Sequence, residues 1–426
     1  MTTIDRSDVD GSSIDVLDPQ LYQGDPHPTY TWLRDNDPVH WDEKNQLWVL
    51  SRFDDVVKVS VNDAIFCSGK GIRPDPSVDL SLIGYDGEKH QAQRRLINKG
   101  FTPKAVRALE DHIRALADAA IDEVAARGEC DFVTDIAVAV PITVIAELMG
   151  LPVEDRERFW RWSDEMMAGG SAGEGPEFDD VREKATAAWV AYTTYVSAMI
   201  DERSALYRRH KRDESQGLRT EPLPDDLVMK LVAAAEEGAL VEGGLESQHD
   251  ELLNFLVLVV VAGNETTRNA MSGGMVAFSE NPDQWARVVA DPSLWDTATE
   301  EVIRWVSPVM NFVRTATCDN DLLGVHIKAG ERVLMLYQSA NRDPRHFDRA
   351  GELLVDRDPN DHVAFGIGAH FCLGANLARL EVKVVFQQIA ERMPDIRMAP
   401  GAEVRYATTN FVRGVESLPV VFTPEG

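Results

Sequence analysis

"HVAFGIGAHFCLGANLARLE", residues 362–381, packs three glycines, two histidines and one cysteine into its first thirteen positions and then turns into an amphipathic helix. Gly366 and Gly368 permit a tight turn with exposed backbone, and Cys372 falls just ahead of Gly374 and the helical pattern "ANLARLEVKVVFQQIAERM". A cysteine at a helix start has its thiolate stabilised by backbone N–H groups without intrahelical partners and by the positive end of the helix dipole. That position suits a metal thiolate. The other reading is a buried free cysteine, the usual fate of a lone one.

Outward from this stretch, the remaining cysteines, Cys67, Cys130 and Cys318, are scattered with no CxxC pair, which argues against a disulfide framework or a structural zinc site. The 426 residues carry 43 basic and 71 acidic side chains, a formal charge of −28. Such a surface repels nucleic acid and anionic membrane and favours a soluble protein. The start, "MTTIDRSDVDGSSIDVLDPQ", has neither a basic n-region nor an apolar h-region, so a cytoplasmic location is expected, with residues 1–15 a short flexible N-terminus. Helical periodicity dominates, as in "DHIRALADAAIDEVAARG" (111–128) and "WDTATEEVIRWV" (295–306). Strand-like runs are few and short: "LWVLSRF" (47–53), "ERVLMLY" (331–337) and "LPVVFTP" (418–424). The expectation is a mainly α fold with a small β-sheet region, with no repeat and no linker that forces a domain boundary. "AGGSAGEGPE" (168–177) and "RRHKRDESQGLRTEPLPDD" (208–226) read as surface loops between helices.

The run "LLNFLVLVVVAGNETTRNAMSGGM" (252–275) is apolar on every side in its first half but carries Asn254 and stops at Gly263, too short to span a membrane. It predicts a buried central helix. Asn264, Glu265, Thr266 and Thr267 then interrupt it. Two readings stand: a buried carboxylate and hydroxyl kept because they are used, or a helix that emerges into solvent after Gly263.

In "FGIGAHFCLG", Phe365, Gly366, Gly368, His370, Cys372 and Gly374 match, in register, the haem-ligand loop of the cytochrome P450 family. Six such positions recur by chance on the order of once in a million sequences of this length. The resemblance implies the P450 fold as one domain over 1–426, with haem b between the long central helix and the cysteine loop. It makes Cys372 the iron ligand and sets Phe365, Gly366 and Ala262 against the macrocycle. "TEEVIRWV" supplies Glu301 and Arg304 at the family's Glu-x-x-Arg pair, and Arg357 stands at the third position of that buried ion network. His90 and Arg94 in "GYDGEKHQAQRRL", Arg314 in "NFVRTAT" and His370 occupy positions that meet the haem propionates in the family. The family's prolines after the aspartate are replaced by Gly87 and Glu88, so the helix start there differs from the pattern. "AGNETT" resembles the oxygen-activation motif, with Glu265 and Thr266 as the acid and alcohol that deliver protons.

The same resemblance assigns substrate contacts to Ile72, Val257, Val261, Val309, Phe312 and Phe411, mostly apolar, for a large hydrophobic molecule. "VAGNETTRN", "GIRPDP", "NPDQW", "IRWVSPV" and "NFVRGVESLPVVFTP" are similar to actinobacterial enzymes that oxidise the side chain of cholesterol and cholest-4-en-3-one. Terpenoids, fatty acids and macrolide or polyketide intermediates are the alternative substrates, and a non-catalytic haem-thiolate ligand carrier the alternative class. The acid and alcohol pair favours a monooxygenase over a carrier or a peroxide-driven enzyme. No flavin or nicotinamide fingerprint occurs, which implies a separate ferredoxin or flavodoxin, the ferredoxin type with its reductase being expected. Lys89, Arg94, Arg95, Lys99, Lys104 and Arg107, in a stretch with no acid, read either as its docking patch or as a solvated helix face. A monomer is expected.

Overall fold

The computed structural model describes residues 14–74, 81–98, 101–170, 179–237 and 245–425. Helices dominate these residues and the strands are short, as the periodicity predicts. "DHIRALADAAIDEVAARG" forms the helix Glu110–Ala125, with Gly128 beyond it at φ +75°, and "WDTATEEVIRWV" is the helix Trp295–Val306, which ends at Ser307. The chain divides into two compact units, one of residues 1–79, 107–140 and 266–426 and one of 80–106 and 141–265. Of the N-terminal stretch expected to be flexible, residues 1–13 lie outside the described residues.

In the first unit a five-stranded sheet runs in the order Val39–Asp42, Leu47–Leu50, Arg332–Leu336, Asn311–Ala316, Phe66–Cys67. Leu47–Leu50 pairs in parallel with Arg332–Met335, and the other neighbours are antiparallel. Period-two alternation sends Leu47, Val49, Val313, Leu334 and Leu336 into one core with Tyr22, Tyr30 and Leu33. Leu50, Phe66, Val333 and Met335 enter the opposite core with Phe53, Val56 and Phe347. With both faces covered, the central strand has no polar side to show, so after Arg332 it reads as the apolar run "VLMLY" (333–337). Each such fully buried side chain contributes about 1.5–3 kcal/mol. "LWVLSRF" is cut short as a strand because Phe53 opens the helix Phe53–Val61.

The second unit is helical, with Arg156–Gly170 and Leu227–Glu236 packed on Asp179–Ser215. Tyr192 packs at a tilt against Phe159, 4.9 Å between ring centroids, and donates to the Leu256 carbonyl at 2.9 Å. The charged stretch 208–226, expected as loop, is helix as far as Ser215. Lys211 pairs with Glu214 along the helix and Arg208 with Glu236 of the helix Leu227–Glu236, and the helix closes at Gly217, φ +70°, where Leu218 N–H donates to the Asp213 carbonyl. Most of the glycine-rich stretch 168–177 lies outside the described residues.

The central helix is unbroken from Leu245 to Glu280. Gly263 does not end it; a Cβ there would come 2.7 Å from Ile145 Cδ1, so glycine serves close helix packing. Asn264 and Thr267 are 1 % and 4 % exposed, which rules out the reading in which the helix emerges into solvent. Among the described residues no helix is long and apolar enough to cross a membrane.

Candidate active site

The cysteine loop is shaped by backbone that only glycine takes easily. Gly366 and Gly368 have φ of +67° and +80°, and a Cβ on Gly368 would lie 2.7 Å from the Ser60 carbonyl oxygen. The chain folds back so that Cys372 N–H donates to the Phe365 carbonyl at 2.9 Å, with a single turn at Gly368–His370 between them. Cys372 is exposed. Three residues on, the helix Ala375–Arg392 starts from Gly374 without a side-chain cap, so its first N–H groups and its dipole are turned toward the cysteine segment. His370 Nε2 lies 3.2 Å from the Oγ of the fully buried Ser68.

The same unit holds Arg314, 6 % exposed, in the strand Asn311–Ala316, where one Nη1 proton goes to the Val313 carbonyl at 2.9 Å. Val313 N–H in turn donates to the Ile72 carbonyl at 2.7 Å, stitching the Ile72 segment to that strand. The Phe312 and Phe411 rings meet at 5.4 Å, and Val309 bridges to Val412. Of the six residues expected to contact substrate, Ile72, Val309, Phe312 and Phe411 are brought together in this unit. The family resemblance also places the loop 67–85 and the segment around Met166 and Met167 against the substrate; residues 75–80 and the side chain of Met167 lie outside the described residues. In the second unit Val257, Val261 and Ala262 share one stripe of the central helix at helical spacing, followed by Glu265. His90, 3 % exposed, and Arg94 lie one turn apart on the helix Gly87–Ile97. Thr266 follows Glu265 on the central helix, both half-buried.

Glu301, Arg304 and Arg357 form a closed network. Glu301 accepts from Arg304 Nε and Nη2, both at 2.7 Å, from Arg357 Nε at 3.0 Å, from Leu354 N–H at 2.8 Å and from Asn360 Nδ2 at 3.1 Å. Arg304 Nη1 also donates to the carbonyls of Asn341 and Ala350 and Nη2 to that of Glu352. All five guanidinium N–H groups are used, which is what a side chain with no exposure requires.

Three more residues, not apparent from the motifs, gather beside the cysteine loop. Glu300 is held by both Arg379 Nε at 2.6 Å and Nη2 at 2.9 Å, and by His362 Nε2 at 3.1 Å. Burial alone would push the Glu300 carboxyl up, but the hydrogen bonds from His362 and Arg379, with the Arg379 charge, bring it down to about 2. Elsewhere on the cysteine helix Glu381 is buried, its Oε1 has no partner among the described residues, and burial pushes its carboxyl up to about 8. The one sign of the first cluster was the doubled glutamate in "TEEVIRWV"; Glu381 looks like any helix glutamate. Of the basic stretch after residue 89, Lys89 is committed, 2.9 Å from Glu251 Oε1 and 3.7 Å from the centre of the Tyr85 ring, while Arg95 and Lys104 are exposed and Lys99 lies outside the described residues.

These residues fit a haem. Cys372 offers a single thiolate at a helix start, the kind of ligand that holds a haem iron. Buried Arg314 and the His370–Ser68 pair, in the same unit as Cys372, are donors of the kind that carboxylates recruit.

The comparisons with known proteins agree. The family model for cytochrome P450 matches residues 293–393. A steroid C26-monooxygenase of Mycolicibacterium smegmatis is 38% identical over 413 residues, 96% of this chain and 96% of the relative. Among solved structures, CYP109E1 from Bacillus megaterium in complex with testosterone is 32% identical with a TM-score of 0.80, covering 95% of this chain and 99% of that one. Mycobacterium marinum CYP268A2 in complex with pseudoionone is 31% identical with a TM-score of 0.83, covering 96% of this chain and 98% of that one. The chain belongs to the cytochrome P450 family. It has the fold of that family, its cofactor is haem, and it is a monooxygenase.

Proposed function

We propose that this protein hydroxylates the side chain of a steroid, with haem b held by Cys372. The observation that carries the reading is the shape of the Cys372 loop, with Gly366 and Gly368 in left-handed backbone, the Cys372 N–H tied to the Phe365 carbonyl and the uncapped start of a helix three residues ahead. Haem bound there supplies the activation of dioxygen and the insertion of one oxygen atom into a C–H bond. The chain's residues hold and feed it. Arg314, Arg94, His90 and His370 neutralise the two propionates with charge-assisted hydrogen bonds; Phe365, Gly366 and Ala262 flank the macrocycle. Glu265 is the acid and Thr266 the alcohol that hold and hand on the protons the reaction consumes. Ile72, Val257, Val261, Val309, Phe312 and Phe411 supply apolar surface for the substrate and exclude water.

The steroid assignment is supported by the relative's name and by the testosterone-bound structure, and the pseudoionone-bound structure keeps a terpenoid as the second reading. Electrons come from a separate ferredoxin, steered by charge toward exposed Arg95 and Lys104. The protein works as a monomer in the cytoplasm, residues 1–426 serving as one haem-thiolate domain. The test is an optical titration of the haem-loaded ferric protein with cholest-4-en-3-one beside a monoterpene, a long-chain fatty acid and a macrolide. A saturable low-spin to high-spin shift with the steroid alone supports the assignment. A shift with another class and none with the steroid removes it, and Cys372→Ala that retains the thiolate-type band of the reduced carbon monoxide complex removes the ligand.

A further inference from the structure

Glu300 and Glu301 are neighbours on the helix Trp295–Val306, yet they serve different networks. Glu301 faces Arg304 and Arg357, whereas Glu300 reaches the helix Ala375–Arg392, where Arg379 grips both its oxygens at 2.6 and 2.9 Å. One turn away the same two helices are joined again by Asp296 and Lys383, so the Glu300–Arg379 contact belongs to a ladder and not to a chance surface pair. His362 completes the cluster. Its Nδ1 accepts the Ala364 N–H at 3.3 Å, which leaves the proton on Nε2 for Glu300 at 3.1 Å. The imidazole thus links the carboxylate to the backbone of the cysteine loop.

What this cluster holds is the Phe365 ring. The guanidinium of Arg379, oriented by its two bonds to Glu300, lies 4.5 Å from the ring centre; the rings of His362 and Phe371 lie at 5.9 and 6.3 Å. The Phe365 carbonyl is the acceptor for Cys372 N–H. We propose that Glu300, His362 and Arg379 are positioning residues that fix Phe365, and that the Arg379 charge, offset by Glu300, sets how strongly the Cys372 sulfur donates electrons. The inference rests on the reading of Cys372 as the haem thiolate.

The physical content is charge compensation. Glu300 stays ionised across neutral pH because His362 and Arg379 stabilise its carboxylate, so carboxylate and guanidinium cancel at the edge of the loop. Removing either one leaves the other's charge beside Phe365. An uncompensated cation favours the reduced, more negative haem-thiolate centre, and an uncompensated anion disfavours it. A cluster that merely packs has no such sign.

The test measures the ferric–ferrous midpoint potential and the reduced carbon monoxide spectrum of the haem-loaded full chain. Glu300→Gln is expected to shift the potential upward, Arg379→Gln downward, and the double variant to return close to wild type. Arg379→Lys, which keeps the charge, stays nearer wild type than Arg379→Gln. Shifts of one sign in both single variants, or unmoved potentials with intact spectra, overturn the proposal alone. Where Arg379→Gln does not retain haem, Glu300→Gln against Glu300→Asp decides: a shift in the first that the second lacks supports compensation, and equal shifts overturn it. A wild-type protein without the thiolate-type band overturns the reading of Cys372 and this inference with it.

Discussion

Replacing Arg304 by methionine removes five hydrogen-bond donors while keeping an unbranched side chain of similar reach. Glu301, with no exposure, then keeps Arg357, Leu354 N–H and Asn360, but the carbonyls of Asn341 and Ala350 lose the donors that Arg304 Nη1 gives them. Breaking one side of a buried ion pair costs about 3–5 kcal/mol. Each carbonyl left without a donor adds about 1–3 kcal/mol where water does not reach it. The low end of the sum is about 5 kcal/mol. For 426 residues, unfolding entropy of about 2.1 cal/mol/K per residue turns this into a fall of about 5–6 °C in the thermal midpoint. Calorimetry of the haem-loaded protein reads it directly. Because the two side chains share the same bonds, the double variant with Glu301→Gln should lose less than the sum of the single losses. A midpoint for Arg304→Met within about 1 °C of wild type, or strict additivity in the double variant, refutes the claim that this network holds its surroundings together.

Gly368→Ala should lower haem retention more than Gly366→Ala. Both need left-handed backbone, at about 1–2 kcal/mol for a non-glycine residue, but only at residue 368 does the new Cβ run into the chain, at 2.7 Å from Ser60 O, whereas nothing lies closer than 3.7 Å at residue 366; equal haem loss by absorbance would refute this. Thr266→Ala should leave steroid affinity intact and divert reducing equivalents to peroxide, measured as peroxide formed per electron pair consumed; full coupling removes the hydroxyl from the proton path. Glu381→Gln tests the buried carboxyl. Its value is raised from 4.5 to about 8 by burial, so the folded state takes up a proton that the unfolded chain does not hold; stability is complete below that window and falls as pH rises through it, by about a factor of ten in the folding equilibrium per pH unit. The glutamine variant should lack this fall between pH 5 and 8 in urea midpoints, and parallel curves would show that the carboxyl is ionised in the fold.

The parts of this molecule legible in its sequence are those whose signal is local. The cysteine loop is ten consecutive residues, and the helix Trp295–Val306 shows its apolar stripe, its Glu301 and its Arg304 within twelve. The sheet is different. Leu47–Leu50 pairs in parallel with residues 332–335, some 285 positions away, and nothing in either segment names the other. Charge misled in one place: "RRHKRDESQ" reads as solvated loop because no apolar stripe marks it, yet its ion pairs and its continuity with the long preceding helix keep it helical to Ser215. The polar break after Gly263 was ambiguous because a buried amide and an exposed one look alike until their neighbours are known.

The doubled glutamate shows where that boundary lies within a single motif. Adjacent residues on a helix point about 100° apart, so "EE" cannot place both carboxylates in one network. Glu301 turns inward and loses all exposure, and Glu300 keeps 29 % of its side chain exposed and reaches the cysteine helix. The spacing to Arg304 identifies the first, because its partner lies one turn along the same helix. The partners of the second, His362 and Arg379, come from segments 62 and 79 residues further on, and only the folded chain brings them to it. A pattern read along the sequence therefore finds the ion network that stabilises the fold and passes over the neighbouring one that touches the cysteine loop, although the two begin one residue apart.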